Sequence, residues 1–127
     1  MKRKARGQAL VEWALVLALV VVLVIGGAQL LYGLYLTRNV RAAAEDAVNA
    51  AAVCGGDTPE FRQALPEILE TYRLDPALAV VTVEPPQGSY LEPLTVRVEY
   101  PVVVKVYGLF DLAIPAQEAR ALSQKDW

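Results

Sequence analysis

The chain has 127 residues and a formal charge of −2, and no histidine is present. Four basic residues (Lys2, Arg3, Lys4 and Arg6) precede a long uncharged run, and beyond Leu36 eight basic residues face thirteen acidic ones, a net −5. That leaves room for one small domain behind the apolar run, and its acidity does not suit nucleic acid.

Taken in chain order, the first element is a basic leader, residues 1–7, followed by RGQALVEWAL at residues 6 to 15. From Trp13 to Leu36 no residue is charged. In helix this run spans roughly 36 Å at ~1.5 Å per residue, enough to cross a hydrocarbon core of ~30 Å with some tilt. A cleavable secretory signal has a shorter apolar region of ~7–15 residues with a small-residue site behind it. Here the small residues Gly26, Gly27 and Ala28 fall inside the run. Basic residues before the span and acidic ones after it predict a cytoplasmic N-terminus, a single pass through the cytoplasmic membrane, and an exported C-terminal part. Residues 8–36 form the membrane and assembly helix in this reading, and 37–127 the exported domain.

Glu12 stands at the mouth of the run. A carboxylate costs about 2.5–3.5 kcal/mol at a bilayer centre and less near the edge, so such a residue calls for a partner or a role. One simple role is a helix N-terminal acid that reaches the headgroups. The string R-G-Q-A-L-V-E-W-A-L, however, resembles the processing region of type IV pilin-like proteins, with Gly7 before the cut and Glu12 fifth after it. Trp13 directly after the glutamate is similar to the aromatic residue of the Flp (type IVb) and TadE-like branch of the tight-adherence (Tad) pilus system. The resemblance covers about the first forty residues.

It implies cleavage between Gly7 and Gln8 by a membrane prepilin peptidase on the cytoplasmic face, with Glu12 and Trp13 recognised in processing and assembly. It also implies other pilin-like subunits, the Tad secretion machinery and membrane lipid as partners. Once freed, the α-amine of Gln8 would lie one helical turn from Glu12, in this chain or on a neighbouring subunit. Pairing the two would lower the cost of the buried carboxylate.

Past Leu36 the helical pattern becomes amphipathic. Leu36, Val40, Ala44, Ala47, Val48 and Ala51 share one face, and Arg38, Arg41, Glu45 and Asn49 another. If unbroken from Gln8 to Cys54, this helix is ~70 Å long. Gly26, Gly27 and Gly33 offer places for a bend or for close packing, and Gly55-Gly56 a stop. Cys54 reads as a small buried residue at the helix end, with a disulfide between subunits as the sharper alternative; alone, it excludes an intrachain disulfide.

Thr58-Pro59 reads as N-cap and first residue of a second helix. Its apolar stripe is Phe61, Leu65, Ile68, Leu69 and Tyr72, with Pro66 interrupting it and Asp75-Pro76 ending it. The period then changes to two, with Ala79, Val81 and Val83 on one face of a strand. Leu94, Val96, Val98 and Tyr100 form another after the turn PPQGS. Ala116 to Leu122 is a third candidate strand, with Ala119 and Ala121 on one face. Val102 to Leu112, VVVKVYGLFDL, is expected to cover the core, with a hairpin extension or an exposed patch as alternatives. The fold class is α+β: a long N-terminal helix, a short second helix, and a small antiparallel sheet packed on the C-terminal half of the first.

The residue inventory argues against an enzyme. Without histidine, and with only Ser89 and Ser123 as serines, a Ser-His-Asp triad and a Cys/His metal site are both excluded. No phosphate-binding or dinucleotide glycine motif is present, so no cofactor and no small-molecule substrate is expected. The reading that follows is a minor, pilin-like subunit of the TadE type. The alternative is a single-pass anchored binding module outside the cytoplasm, in which Glu12 is incidental.

Overall fold

A computed structural model describes residues 2–125, with side chains from Ala5 onward. Residue 1, the side chains of residues 2–4 and residues 126–127 therefore lie outside the described residues, and with them most side chains of the expected leader and the last two residues of the expected exported domain. α1 runs without interruption from Lys2 to Cys54, 53 residues, or ~80 Å at ~1.5 Å per residue. It passes through Gly26, Gly27 and Gly33 as continuous helix. It stops where expected: Gly55 and Gly56 both adopt positive φ (85° and 133°), and Gly56 N–H donates to the Ala51 carbonyl at 2.8 Å. Left-handed backbone of this kind is nearly free for glycine and costly for other residues.

α2 (Pro59–Thr71) begins on the expected cap, with Thr58 extended and its Oγ1 accepting from Phe61 N–H at 3.2 Å. Pro66 lies on the exposed side and the helix continues through it. Phe61, Leu65 and Leu69 are buried against α1, while Ile68 and Tyr72 are half-buried. The helix ends at Thr71, short of the expected stop at Asp75. Arg73 takes positive φ (57°), and Leu74 turns back into the core, its N–H donating to the Leu69 carbonyl at 2.9 Å.

The sheet is antiparallel with order β1-β2-β5, where β1 is Val80–Glu84, β2 Pro93–Glu99 and β5 Gln117–Leu122. The registers Val81↔Val98, Val83↔Val96, Val96↔Ala119 and Leu94↔Ala121 set these side chains on one face, because alternate residues point the same way. That face packs on α1, where Val40, Ala43, Ala44, Ala47 and Ala51 are all 0 % exposed. Alanine is a poor strand former, yet Ala119 and Ala121 suit the place where β5 must lie close to an alanine-lined helix. Beyond β5, Gln124 N–H donates to the Ala52 carbonyl at 2.8 Å, joining the chain's end to the last turn of α1.

The expectation for Val102 to Leu112 needs correction. Val104 alone is fully in the core there, with Val102 and Leu112 half-buried against it. The segment instead forms a separate two-stranded hairpin, β3 (Val103–Val106) and β4 (Phe110–Ala113). It leaves the domain and runs along α1 towards the N-terminus. The physical reason is the helix beside it, which offers an uncovered apolar surface and two glycines that let a strand pair approach.

Candidate assembly helix and its hairpin

Two features of α1 define the site. The first is a bare apolar half. Of its most apolar stretch of 18 residues, only 6 % is buried, and leucines and valines from Leu10 to Val24 are exposed on all sides. A helix that is hydrophobic all round belongs in lipid or in the core of an assembly. The domain's own core begins at Leu36, so that core covers none of this half of α1.

At its N-terminal end lie Gly7, Gln8, Glu12 and Trp13, all exposed helical residues. Gln8 and Glu12 are one turn apart and so share a face. The Gly7–Gln8 bond itself lies inside the helix, and no atom outside the local helix comes within 4 Å of where a Gly7 Cβ would sit. Trp13, with Ala9 and Leu10, lines a shallow apolar groove bordered by Arg6.

The second feature is the seat of the β3–β4 hairpin. Tyr107 N–H donates to Gln29 Oε1 at 2.9 Å, and Tyr107 Oη–H donates to the Val22 carbonyl. The Tyr107 ring occupies the space where a side chain at residue 26 would be, and Leu112 does the same over Gly33. Gly26, Gly33, Leu36 and Val40 form a buried line along α1, at the seven-, three- and four-residue steps that keep to one helix face. Sequence reasoning marked these glycines for bending or helix packing; their spacing on the face of Leu36 and Val40 was the available signal for this contact. The turn has Tyr107 and Gly108 both at positive φ (57° and 67°), closed by Leu109 N–H donating to the Val106 carbonyl at 3.1 Å. This twist suits a tight hairpin, but left-handed backbone costs a tyrosine about 1–2 kcal/mol. Its two hydrogen bonds to α1 offset that cost.

Elsewhere, polar contacts tie the domain together. Arg62 grips Asp57 through two bonds, Nε to Oδ1 at 2.5 Å and Nη2 to Oδ2 at 2.8 Å, and Nη2 also donates to the Val81 carbonyl at 3.1 Å. The Arg62 hydrogen bond holds the Asp57 carboxyl below its ordinary range, against a smaller opposing effect of burial. Tyr72 Oη–H donates to the Asp46 carboxylate, which raises the phenol's pKa. Among the described residues, no group of three or more acidic, cysteine or histidine side chains is placed to hold a metal ion.

Residues 7–49 match the family model of TadE-like proteins. The match starts at the glycine before the expected cut and ends at Asn49, within the outer half of α1. It takes in all of the bare helix and none of α2 or the sheet. No curated protein and no solved structure gives a significant match to the chain. TadE-like proteins are pilin-like structural components associated with the Tad pilus, and the one long apolar helix of this chain is compatible with single-pass membrane anchoring.

Proposed function

We propose that this chain is a minor, TadE-like pilin subunit, cut between Gly7 and Gln8 by a prepilin peptidase and assembled through α1 in Tad pilus biogenesis. The observation that carries this reading is a single alignment of features. The family match opens at Gly7, Glu12 follows at the fifth position after the bond, and the helix behind them contributes no residue to the domain core until Leu36. The α+β domain on the outer half of α1 favours a minor subunit over a filament-forming one, since the major Flp pilins resembled here amount to little more than the helix.

In this reading the N-terminus lies in the cytoplasm, α1 crosses the inner membrane once, and residues 37–127 are outside. The partners are the peptidase, other pilin-like subunits, the Tad secretion machinery and membrane lipid. Helical hydrogen bonds across the Gly7–Gln8 bond must open for a peptidase to reach it, and Gly7 gives the segment low helix propensity there. The test is intact-mass measurement of the membrane-extracted protein from cells with an active prepilin peptidase. Loss of the first seven residues is expected, and Gly7→Leu should abolish that loss. A wild-type chain that still begins at Met1 would sink the proposal.

A further inference from the structure

We infer that the tip of the β3–β4 hairpin enters the lipid leaflet into which α1 emerges, giving the protein a second, non-helical contact with the membrane. The inference rests on the membrane-anchored reading of α1.

Three observations carry it. The first is exposure. Leu109 is 79 % and Phe110 68 % exposed, at the end of a five-residue tip, Val106 to Phe110, that bears no charge. Adjacent large apolar side chains left this open mark a surface meant for a nonaqueous neighbour.

The second is place. The tip is seated beside Gln29, and the Tyr107 side chain reaches further, to Gly26 and the Val22 carbonyl. Those helix residues belong to the charge-free run, so the surface of the tip is continuous with the surface of the span. Trp13 and Tyr32 are ~29 Å apart along α1 at ~1.5 Å per residue, close to a hydrocarbon thickness of ~30 Å. Aromatic residues of this kind settle at the two interfaces. With Tyr32 at the outer edge, Gln29 and the hairpin tip lie about 5 Å inside it. That is the depth at which an apolar surface element rests in the boundary between headgroups and acyl chains.

The third is how polar groups are handled. Lipid tolerates irregular backbone only where its N–H and C=O groups are satisfied. Here the Tyr107 amide, the Tyr107 hydroxyl and the Leu109 amide all have acceptors. The hairpin's charges, Lys105 and Asp111, sit directly opposite each other one step above the tip. At that height they meet the headgroups, and a lysine stem can lie along apolar surface with its ammonium in the polar layer. Between β3 and α1 an apolar groove of about 510 Å³, lined by Ile25, Ala28, Tyr32 and Val103 with Lys105 at its border, is open to the same layer and offers space for an acyl chain.

The experiment uses the full chain with Trp13→Phe and Trp127→Phe, reconstituted in vesicles of phosphatidylethanolamine and phosphatidylglycerol with and without brominated acyl chains. Phe110→Trp is then the sole indole. Its emission should be blue-shifted, and lipid brominated near the headgroup end of the chain should quench it more than lipid brominated near the terminal methyl. Tyr90→Trp, on the far domain surface, supplies the water-exposed reference, and Val20→Trp reports the span. Phe110→Trp emission like that of Tyr90→Trp, with no quenching, overturns the inference. If Val20→Trp is quenched in that case, the anchored reading stands and only the hairpin's role falls; if it is not, both fall. A blue-shifted but unquenched signal also overturns the inference, because a protein surface such as a second copy then covers the tip. Leu109→Trp must show the same shift and quenching pattern, which guards against local damage at Phe110.

Discussion

Tyr107 crosses α1 at Gly26, and it does so because Gly26 has no side chain: a Cβ there would collide with the Tyr107 hydroxyl and ring. This contact decides where the hairpin goes. With a larger residue at position 26, Tyr107 loses its bond to the Val22 carbonyl and the tip is pushed off the helix. The core from Leu36 outward is separate from this contact. Gly26→Val should therefore leave the domain folded while abolishing slow amide exchange at Tyr107, whose N–H donates to Gln29 Oε1. Protection at Tyr107 equal to wild type would show that the hairpin does not need this glycine.

The alanine seam makes a different kind of demand. Ala47 is 0 % exposed, in the row of small residues that receives the sheet. A packed interior has no spare volume for three more heavy atoms. Ala47→Leu should destabilise the domain by about 1–3 kcal/mol through overpacking, read by urea unfolding of the detergent-solubilised chain. Asn49→Leu, on the exposed face of the same helix, should change stability by no more than about 0.5 kcal/mol.

Much of this was legible from residue order, and the parts that were not share a cause. Thr58-Pro59 announced α2 because cap and first turn are set locally. The alternation of Leu94, Val96, Val98 and Tyr100 announced β2 because one buried face forces a period of two. The end of α2 was misplaced because Arg73 takes the left-handed conformation without being glycine or asparagine, and the burial of Leu74 selects it. The hairpin's position depends on a contact between residues 78 apart, Tyr107 and Gln29, which no local pattern encodes. At the N-terminal site, the types and spacing of Gly7, Gln8, Glu12 and Trp13 were readable at once. The proposed pairing of Glu12 with a freed Gln8 amine, in this chain or the next, depends on processing and assembly, and residue order records neither.

The Asp57–Arg62 clasp predicts a pH response. The folded state holds the Asp57 carboxyl below its ordinary value of 3.8. A depressed acid contributes stability that is complete above the unfolded value and is lost as pH falls through it towards the lower folded value. Both side chains are partly exposed, so the contribution should stay within about 1 kcal/mol. Asp57→Asn should thus lower stability at neutral pH and make no difference once the wild-type carboxyl is protonated in both states. Urea midpoints of the two chains compared at neutral pH and in acid test this. A gap that widens on acidification would contradict it.

The last prediction concerns Glu12, exposed on bare helix one turn from Gln8. Glutamine at this position keeps the shape and removes the charge, so insertion into the membrane should become easier if anything. What Glu12→Gln removes is a partner for the α-amine that cleavage would free on Gln8, in this chain or the next. Breaking a buried ion pair from one side leaves the other charge uncompensated, at a cost of about 3–5 kcal/mol in a dry site. That is enough to stop a subunit from taking its depth and register against a neighbour. An N-terminal glutamine that cyclised would lose its amine, so the pairing also requires the terminus to stay open, as N-methylation would ensure. The variant should accumulate in the membrane in the normal orientation and be processed nearly as well as wild type, yet be missing from sheared pili and from pilus-assembly complexes. Co-purification with those complexes at wild-type levels would reduce Glu12 to an interfacial acid, and the anchored binding module would then be the better account of the chain.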